Sequence, residues 1–322
     1  MPINRLIALR VCTALLLLLL GPAAFAQDVG VNTAQPSLAA RLGYPPDARL
    51  LIVHADDLGV SHSVNAASIE ALETGLVNSA SIMVSCPWFP EIAAYARDHP
   101  EHDLGLHLTL TSEWKHYRWR PVLPVTEVPT LVDDQSFLYA SEAEAAQKMD
   151  PREAEAEIRA QVERAMAFGI QPTHLDAHMG TLFQTPALFE AYLRVGRDYN
   201  LPVFVPGNAL RQTAPHLMRL LTPRDVVIDR YAMASPQVAT AQWAAYYTGL
   251  IEDMQPGVTE IIIHVAHDDA EMRAVTVDHP DYGSAWRQRD LDFFTSDAFR
   301  NLLARHSITL ITWREIGRLL QQ

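Results

Sequence analysis

Short apolar runs alternate with amphipathic stretches along most of the chain. The apolar runs are rich in Leu, Ile and Val and are bounded by polar or turn-forming residues, which predicts strands. These predicted strands cover residues 50–54, 79–84, 104–110, 173–177, 203–205, 226–228, 260–264 and 308–312. Helical spacing of apolar residues predicts helices over residues 64–74, 90–98, 152–168, 186–199, 239–254, 296–306 and 313–320.

This alternation predicts an α/β fold in which helices cover a parallel sheet. Eight predicted strands favour an irregular TIM-like (β/α) barrel in a single domain over residues 47–322, and a doubly wound open sheet is the alternative. Both architectures place their functional sites beyond the carboxyl ends of the strands.

The first 26 residues have the pattern of a secretory signal peptide. Arg5 and Arg10 precede the apolar stretch TALLLLLLG, and Ala24 and Ala26 supply the small residues of a cleavage site. We expect a Sec-type signal cleaved near Ala26 and then an extended N-terminal lead-in over residues 27–46. The mature protein would be periplasmic or secreted, without stable membrane insertion. An uncleaved membrane anchor is the alternative, and the short apolar run argues against it.

The chain of 322 residues has a formal net charge of −13. Nucleic acids and anionic membranes attract basic surfaces, so this balance argues against both as partners. Cys86 is the only cysteine left after loss of the signal peptide, which predicts a buried thiol and no internal disulfide. The sequence does not decide the oligomeric state, and we keep a homodimer as one option.

Histidines and aspartates gather where the predicted strands end. They are His54, Asp56, Asp57, His107, His174, Asp176, His178, His264 and His267. Two imidazoles and one carboxylate form a common ligand set for a divalent metal such as Zn²⁺. A further carboxylate and a late histidine could then move protons, so the pattern predicts metal-assisted hydrolysis. Spacing alone does not say which residue of HLDAH is the ligand, because alternate residues of a strand share one face.

These residues lie in four segments, IVHADDLG, GLHLTLT, THLDAH and IIIHVAH. In order and spacing the segments resemble the motifs of the YdjC-type carbohydrate deacetylases. The resemblance extends from about Leu50 to the C-terminus. It implies an irregular TIM-barrel-like fold, a single divalent metal ion (Zn²⁺ or Mg²⁺) and removal of acetyl groups from N-acetylated sugars.

The resemblance also implies a role for each residue. Asp57, His107 and His178 would be the metal ligands. Asp56 would be the general base that, together with the metal, activates water, and His264 would be the general acid. His54, His174 and Asp176 would support the ligands or contact the substrate. No other cofactor is implied.

Some positions depart from the family pattern, which usually has Asn in place of His54 and Pro in place of Val265. These changes lie beside the implied ligands, so they bear on the choice of sugar more than on the metal chemistry. Two polar stretches, residues 112–121 with their aromatic and basic residues and residues 278–290 with Arg287 and Arg289, could form loops that contact substrate. The other hypotheses are a metal-dependent hydrolase of another saccharide or phosphoester bond, and a periplasmic sugar-binding protein.

Overall fold

Parallel strands form a curled sheet in the computed structural model, which describes residues 36–321. The strands are β1 (Arg49–Leu58), β2 (Ser79–Ile82), β3 (Leu104–Leu108), β4 (Leu175–Ala177), β5 (Arg230–Ala232), β6 (Gly257–Ile263) and β7 (Thr309–Leu310). Their order is β4-β3-β2-β1-β6-β5, and β7 pairs with the first half of β1. The sheet curls into a half-barrel that is consistent with a TIM-like barrel but not fully closed.

Helices cover the sheet, as the alternating pattern predicts. They are α1 (Leu38–Arg41), α2 (His62–Glu73), α3 (Phe89–Asp98), α4 (Glu142–Lys148), α5 (Pro151–Ala167), α6 (Pro186–Asp198), α7 (Gly207–Thr213), α8 (Trp243–Glu252), α9 (Ala270–Val275), α10 (Ser284–Phe294), α11 (Asp297–Arg305) and α12 (Trp313–Gly317). None of the helices between residues 36 and 321 has the length and apolarity that a membrane-spanning helix needs.

Two of the predicted strands are wrong. Residues 203–205 and 226–228 form only isolated parallel bridges, Leu175 with Val203 and Pro206 with Ile228. The ladder strand in this region is β5, where none was predicted, and it pairs with β6. Val203 and Ile228 are nevertheless buried in the core. A short apolar run indicates that the segment is buried, but it does not indicate whether its backbone forms the hydrogen bonds of a β-sheet.

The stretch 278–290 is not a loop, because its second half forms helix α10. The sequence of α10 shows no clear apolar periodicity, because the buried face of this helix includes Arg287 and Asp290 as well as Trp286 and Leu291. The N-terminal lead-in is not fully extended either. Residues 38–41 form α1, whose Leu38 and Ala39 are buried in the core. The predicted signal peptide lies outside the described residues.

Strand β1 is buried along almost its whole length because it has neighbouring strands on both edges and buried residues packed on both faces. It extends to Leu58, four residues beyond the predicted end at residue 54, and therefore carries the two aspartates on the strand itself. The pairing of β1 with β2 is irregular between Ala55 and Leu58. This irregularity falls at the functional part of the sheet.

Gly105 of β3 allows the close approach of a buried histidine. A Cβ at this position would overlap the imidazole ring of His174. We expect Gly105→Ala to lower the free energy of unfolding by about 1–3 kcal/mol, the usual cost of overpacking a core. Gly249→Ala in α8 is the control, because nothing lies within 4 Å of the added methyl. It should raise stability by about 0.5–1 kcal/mol. Urea unfolding of the two variants measures both changes, and equal effects would refute the packing argument.

Candidate active site

The carboxyl ends of the strands surround a cavity of about 420 Å³. Among the residues that line it are six of the predicted site residues: Asp56, Asp57, His107, Asp176, His178 and His264. The topology therefore brings together residues that are more than two hundred positions apart in the chain. His54 and His174 are fully buried and are not part of the cavity wall.

The two adjacent aspartates both face the cavity because the end of β1 is irregular. Consecutive residues of a regular strand point to opposite faces. Asp57 has a φ of 74°, in the left-handed region, and the β1–β2 register shifts at this point. A bulge of this kind re-aims a side chain. It gives Asp56 and Asp57 separate positions on the same cavity wall.

Asp57, His107 and His178 form a tight cluster at one end of the cavity. The Asp57 Oδ1 atom lies 3.4 Å from His107 Nε2 and 3.4 Å from His178 Nδ1. The two nitrogens are 3.2 Å apart. These three atoms are the ligand atoms that a divalent cation between the side chains would use, and they lie within 4.8 Å of one another.

Two carboxylates hold the imidazoles in orientation. Asp176 Oδ1 lies 2.7 Å from His107 Nδ1, and Glu113 Oε2 lies 3.1 Å from His178 Nε2. Each carboxylate accepts a hydrogen bond from one nitrogen of its imidazole, so that the second ring nitrogen faces Asp57. Hydrogen bonds of this kind fix the tautomer of metal-binding histidines in proteins. Sequence reasoning missed Glu113, which lies five residues after the end of the strand that carries His107.

His54 lies beneath the cavity between two carboxylates. Its Nε2 is 2.9 Å from Asp176 Oδ2 and 3.2 Å from Asp56 Oδ1, and its Nδ1 is 2.9 Å from Ser79 Oγ. Burial opposes the charged imidazolium, but the hydrogen bonds to Asp176 and Asp56 outweigh it and raise the pKa of His54 to about 10. His54 is thus a buried cation that supports the site from below.

His174 does not join the cluster. Its ring stacks on the indole of Trp313, with centroids 5.0 Å apart and planes 18° apart. Burial, reinforced by the nearby His54, holds the pKa of His174 well below its usual range. It is a neutral packing residue in the layer below the site. His267, the other late histidine, lies by Glu70 at 3.6 Å.

Arg287 is a site residue for which the sequence offered only weak support. It is 2% exposed, and its guanidinium donates to Asp57 Oδ2 over 2.7 Å and to the carbonyl of Tyr282. Burial disfavours the charged form of Asp57, but Arg287 and the two histidines outweigh it and hold the pKa of Asp57 well below its usual range. Asp57 is therefore ionised.

His264 faces Asp56 across the cavity. Its Nε2 lies 3.7 Å from Asp56 Oδ2, and its backbone N–H donates to Asp290 Oδ2. Burial lowers the pKa of His264 to about 4, so the ring is neutral at pH 7. Asp290 also accepts hydrogen bonds from Trp243 and Tyr247, and burial raises its pKa to about 7.

The segment 112–121 is mainly a packed wall. Trp114 and Trp119 are each 3% exposed, and Trp114 lines the cavity. Two basic side chains of this segment form ion pairs within the protein. Lys115 pairs with Asp278, and Arg118 pairs with Asp133. These basic residues do not line the described cavity.

Comparison with known proteins identifies the family of this chain. The model of the YdjC-like protein family matches residues 50–305. The chain belongs to this family. It is 30% identical to a carbohydrate deacetylase of Geobacillus stearothermophilus, over 84% of this chain and 99% of that protein. It is 33% identical to a carbohydrate deacetylase of Thermus thermophilus, over 83% of this chain and 94% of that protein.

A solved structure from Enterococcus faecalis V583, of a protein provisionally named for cellobiose-phosphate cleavage, superposes with a TM-score of 0.71. Its sequence identity is 25%, and the match covers 84% of this chain and 99% of that chain. The predicted family membership is confirmed, and with it the prediction of an enzyme of the deacetylase class.

The cluster of this YdjC-like protein fits a divalent cation. Asp57 Oδ1 is buried and has no hydrogen-bond partner among residues 36–321. Both histidine nitrogens lie 3.4 Å from this oxygen, which is longer than a normal hydrogen bond, so a divalent cation between the three atoms would satisfy the oxygen better than the imidazoles do. The neighbouring carboxylates also raise the pKa of His178 to about 9 and that of His107 well above its usual range, in each case against the effect of burial.

Metal binding by this cluster should therefore be pH-dependent. At pH 7 both imidazoles carry protons in the metal-free protein, and they must lose them to bind a metal. We expect release of roughly one to two protons per metal ion at pH 7, and an affinity that rises up to the pKa of His178, about 9. Calorimetry in buffers of different ionisation enthalpy counts these protons. An affinity that stays flat from pH 6 to 9 would contradict the assignment.

Proposed function

We propose that this protein is a metal-dependent deacetylase that hydrolyses the acetamide of N-acetylated sugars or oligosaccharides. The observation that carries the proposal is the division of labour at the cavity wall. Asp57 faces His107 and His178, while Asp56 beside it faces His264. The names of the relatives as carbohydrate deacetylases support the same reaction.

Asp57, His107 and His178 would hold the metal, which is Zn²⁺ or Mg²⁺. The nitrogen-rich ligand set favours Zn²⁺, because imidazole suits Zn²⁺ better than it suits Mg²⁺. When bound, such an ion lowers the pKa of water and polarises the substrate carbonyl. Arg287 keeps Asp57 ionised, and Asp176 and Glu113 keep the imidazoles turned toward it.

Asp56 would act as the base. It accepts a proton from the attacking water as the oxygen bonds to the acetamide carbon. His54 holds the other side of this carboxylate, at 3.2 Å from Oδ1. The fixed position leaves Oδ2 directed toward His107 and His264, where the reacting groups would lie.

His264 would protonate the leaving amine. The ring is neutral at pH 7, because burial lowers its pKa to about 4, so it must first receive the proton that it donates. Asp56 Oδ2 lies 3.7 Å away. We propose that the proton taken from water passes through Asp56 to His264 Nε2. It then reaches the nitrogen as the C–N bond breaks, which leaves acetate and a free amine.

The remainder of the cavity suits a saccharide. Its wall includes aromatic and apolar side chains of Trp114, Phe183, Phe204, Tyr231 and Tyr282, a lining typical of small-molecule sites. Its volume of about 420 Å³ limits it to a short part of a chain. We further propose that the substrate is extracytoplasmic, because residues 1–26 have the pattern of a signal peptide.

The adjacent aspartates offer a matched test of the two roles. Asp57→Asn removes a ligand charge, so metal affinity should fall by roughly a hundredfold and turnover with it. Asp56→Asn should keep metal binding within a fewfold, while kcat falls by roughly a hundredfold or more, the usual loss of a general base. Metal titration and acetate release measure the two quantities separately. A normal kcat in Asp56→Asn, or full metal binding in Asp57→Asn, would reverse the assignment.

The reaction itself is tested by an acetate-release screen over N-acetylated monosaccharides and oligosaccharides. We expect release that stops when a chelator removes the metal and returns when Zn²⁺ is added back. Activity that survives chelation would refute the metal dependence. Hydrolysis of phosphoesters without acetate release would refute the reaction type.

A further inference from the structure

A groove of about 700 Å³ adjoins the cavity of the proposed active site. The two share His279 in their walls. A chain of aromatic contacts also connects them. The ring of His264 lies 5.1 Å from Tyr282, which lies 4.5 Å from Trp286, which lies 4.6 Å from Trp243. The groove is therefore a continuation of the wall that holds His264.

Arg289 is the unexplained residue of this groove. Its guanidinium carbon stacks over the Trp243 ring at 4.6 Å and lies 6.0 Å from Trp286. Its Nε is buried and has no hydrogen-bond partner among residues 36–321. Contact with the Trp243 ring restricts the position of the guanidinium, and a buried donor without an acceptor is costly. The structure thus holds a guanidinium against two indole rings, with no anionic partner among residues 36–321.

The other charges of the groove are already paired or lie in solvent. Arg273 pairs with Asp268 at 2.8 Å, and Lys115 pairs with Asp278. Asp281 is exposed, where salt screens its charge. Arg289 is the one guanidinium in the groove without an ion pair among the described residues. A single cation of this kind matches a monoanion such as a carboxylate better than a dianionic phosphate.

We propose that the groove binds the part of the saccharide that extends from the reacting N-acetylated unit, and that Arg289 pairs there with a carboxylate, as in a uronic acid. The proposal rests on the proposed function, since it names the class of substrate for the same site. The planar fork of Arg suits a planar carboxylate through two parallel hydrogen bonds. An acidic saccharide would otherwise be disfavoured by a chain with a net charge of −13.

The test is a calorimetric titration of the Zn²⁺-loaded protein, with Asp56→Asn present throughout so that the ligand is not consumed. The ligands are disaccharides of N-acetylglucosamine and glucuronic acid in both linkage orders. Each is compared with its carboxyl-reduced counterpart and with the phosphate ester of that counterpart. We expect the carboxylate ligand of at least one linkage order to bind roughly tenfold more tightly than the reduced one, as a charge-assisted pair predicts.

Arg289→Gln should abolish this preference and leave the affinity for the reduced ligand unchanged, which also shows that the variant is folded. Arg289→Lys keeps the charge but loses the planar guanidinium, so this variant should keep part of the preference for the carboxylate ligand. Arg273→Gln is the matched control and should keep all of it, because that arginine is already paired with Asp268.

The inference is overturned if the carboxylate gives no preference, if the preference persists in Arg289→Gln, or if Arg273→Gln loses it equally. Tighter binding of the phosphate ester would overturn the assignment to a carboxylate. Acetate release by the wild-type protein from the same ligands is measured separately. Preference without acetate release would leave the groove standing and refute the deacetylase reaction.

Discussion

An excess of buried carboxylates at the carboxyl ends of the strands is the constraint on which the rest of the site depends. Asp56, Asp57 and Asp176 are buried there, Glu113 is close by, and Glu260 is buried below them in the middle of β6. Each needs a cation, a proton or a hydrogen-bond donor, because isolated buried charges are very costly. Where no sufficient partner is present the carboxyl keeps its proton, and burial raises the pKa of Glu260 to about 8.

The partners of these carboxylates account for the arrangement of the remaining residues. His54 lies between Asp56 and Asp176, and Arg287 donates to Asp57. The unsatisfied oxygen of Asp57 points at the space between two imidazoles. A divalent cation would complete this balance, and it would also replace the protons that the neighbouring carboxylates keep on the histidines. The charge balance of the buried carboxylates and the binding of a metal would therefore depend on each other.

Helix α10 connects the candidate active site with the groove beside it. Arg287 and Arg289 are two positions apart, and residues at that spacing point to different sides of a helix. The guanidinium of Arg287 is buried against Asp57, while that of Arg289, which lines the groove, lies over the Trp243 ring. The same turn of helix therefore holds Asp57 in its ionised form and carries the guanidinium that we propose for the saccharide groove. A chain with an ordinary loop over these residues would offer neither contact.

The sequence by itself determined the α/β class, most of the helices and six of the residues that line the cavity. His107 and His178 could be recognised because a histidine beside buried apolar strands needs a partner, and parallel strands bring such residues to one edge. Only the tertiary structure decided how they are used. The bulge at Asp57 places consecutive aspartates on one wall, contrary to strand periodicity. Glu113, Arg287 and Arg289 lie on irregular or polar segments, where no periodic pattern marks which side chain will be buried. Their roles come from contacts between residues far apart in the chain, which short-range patterns do not encode.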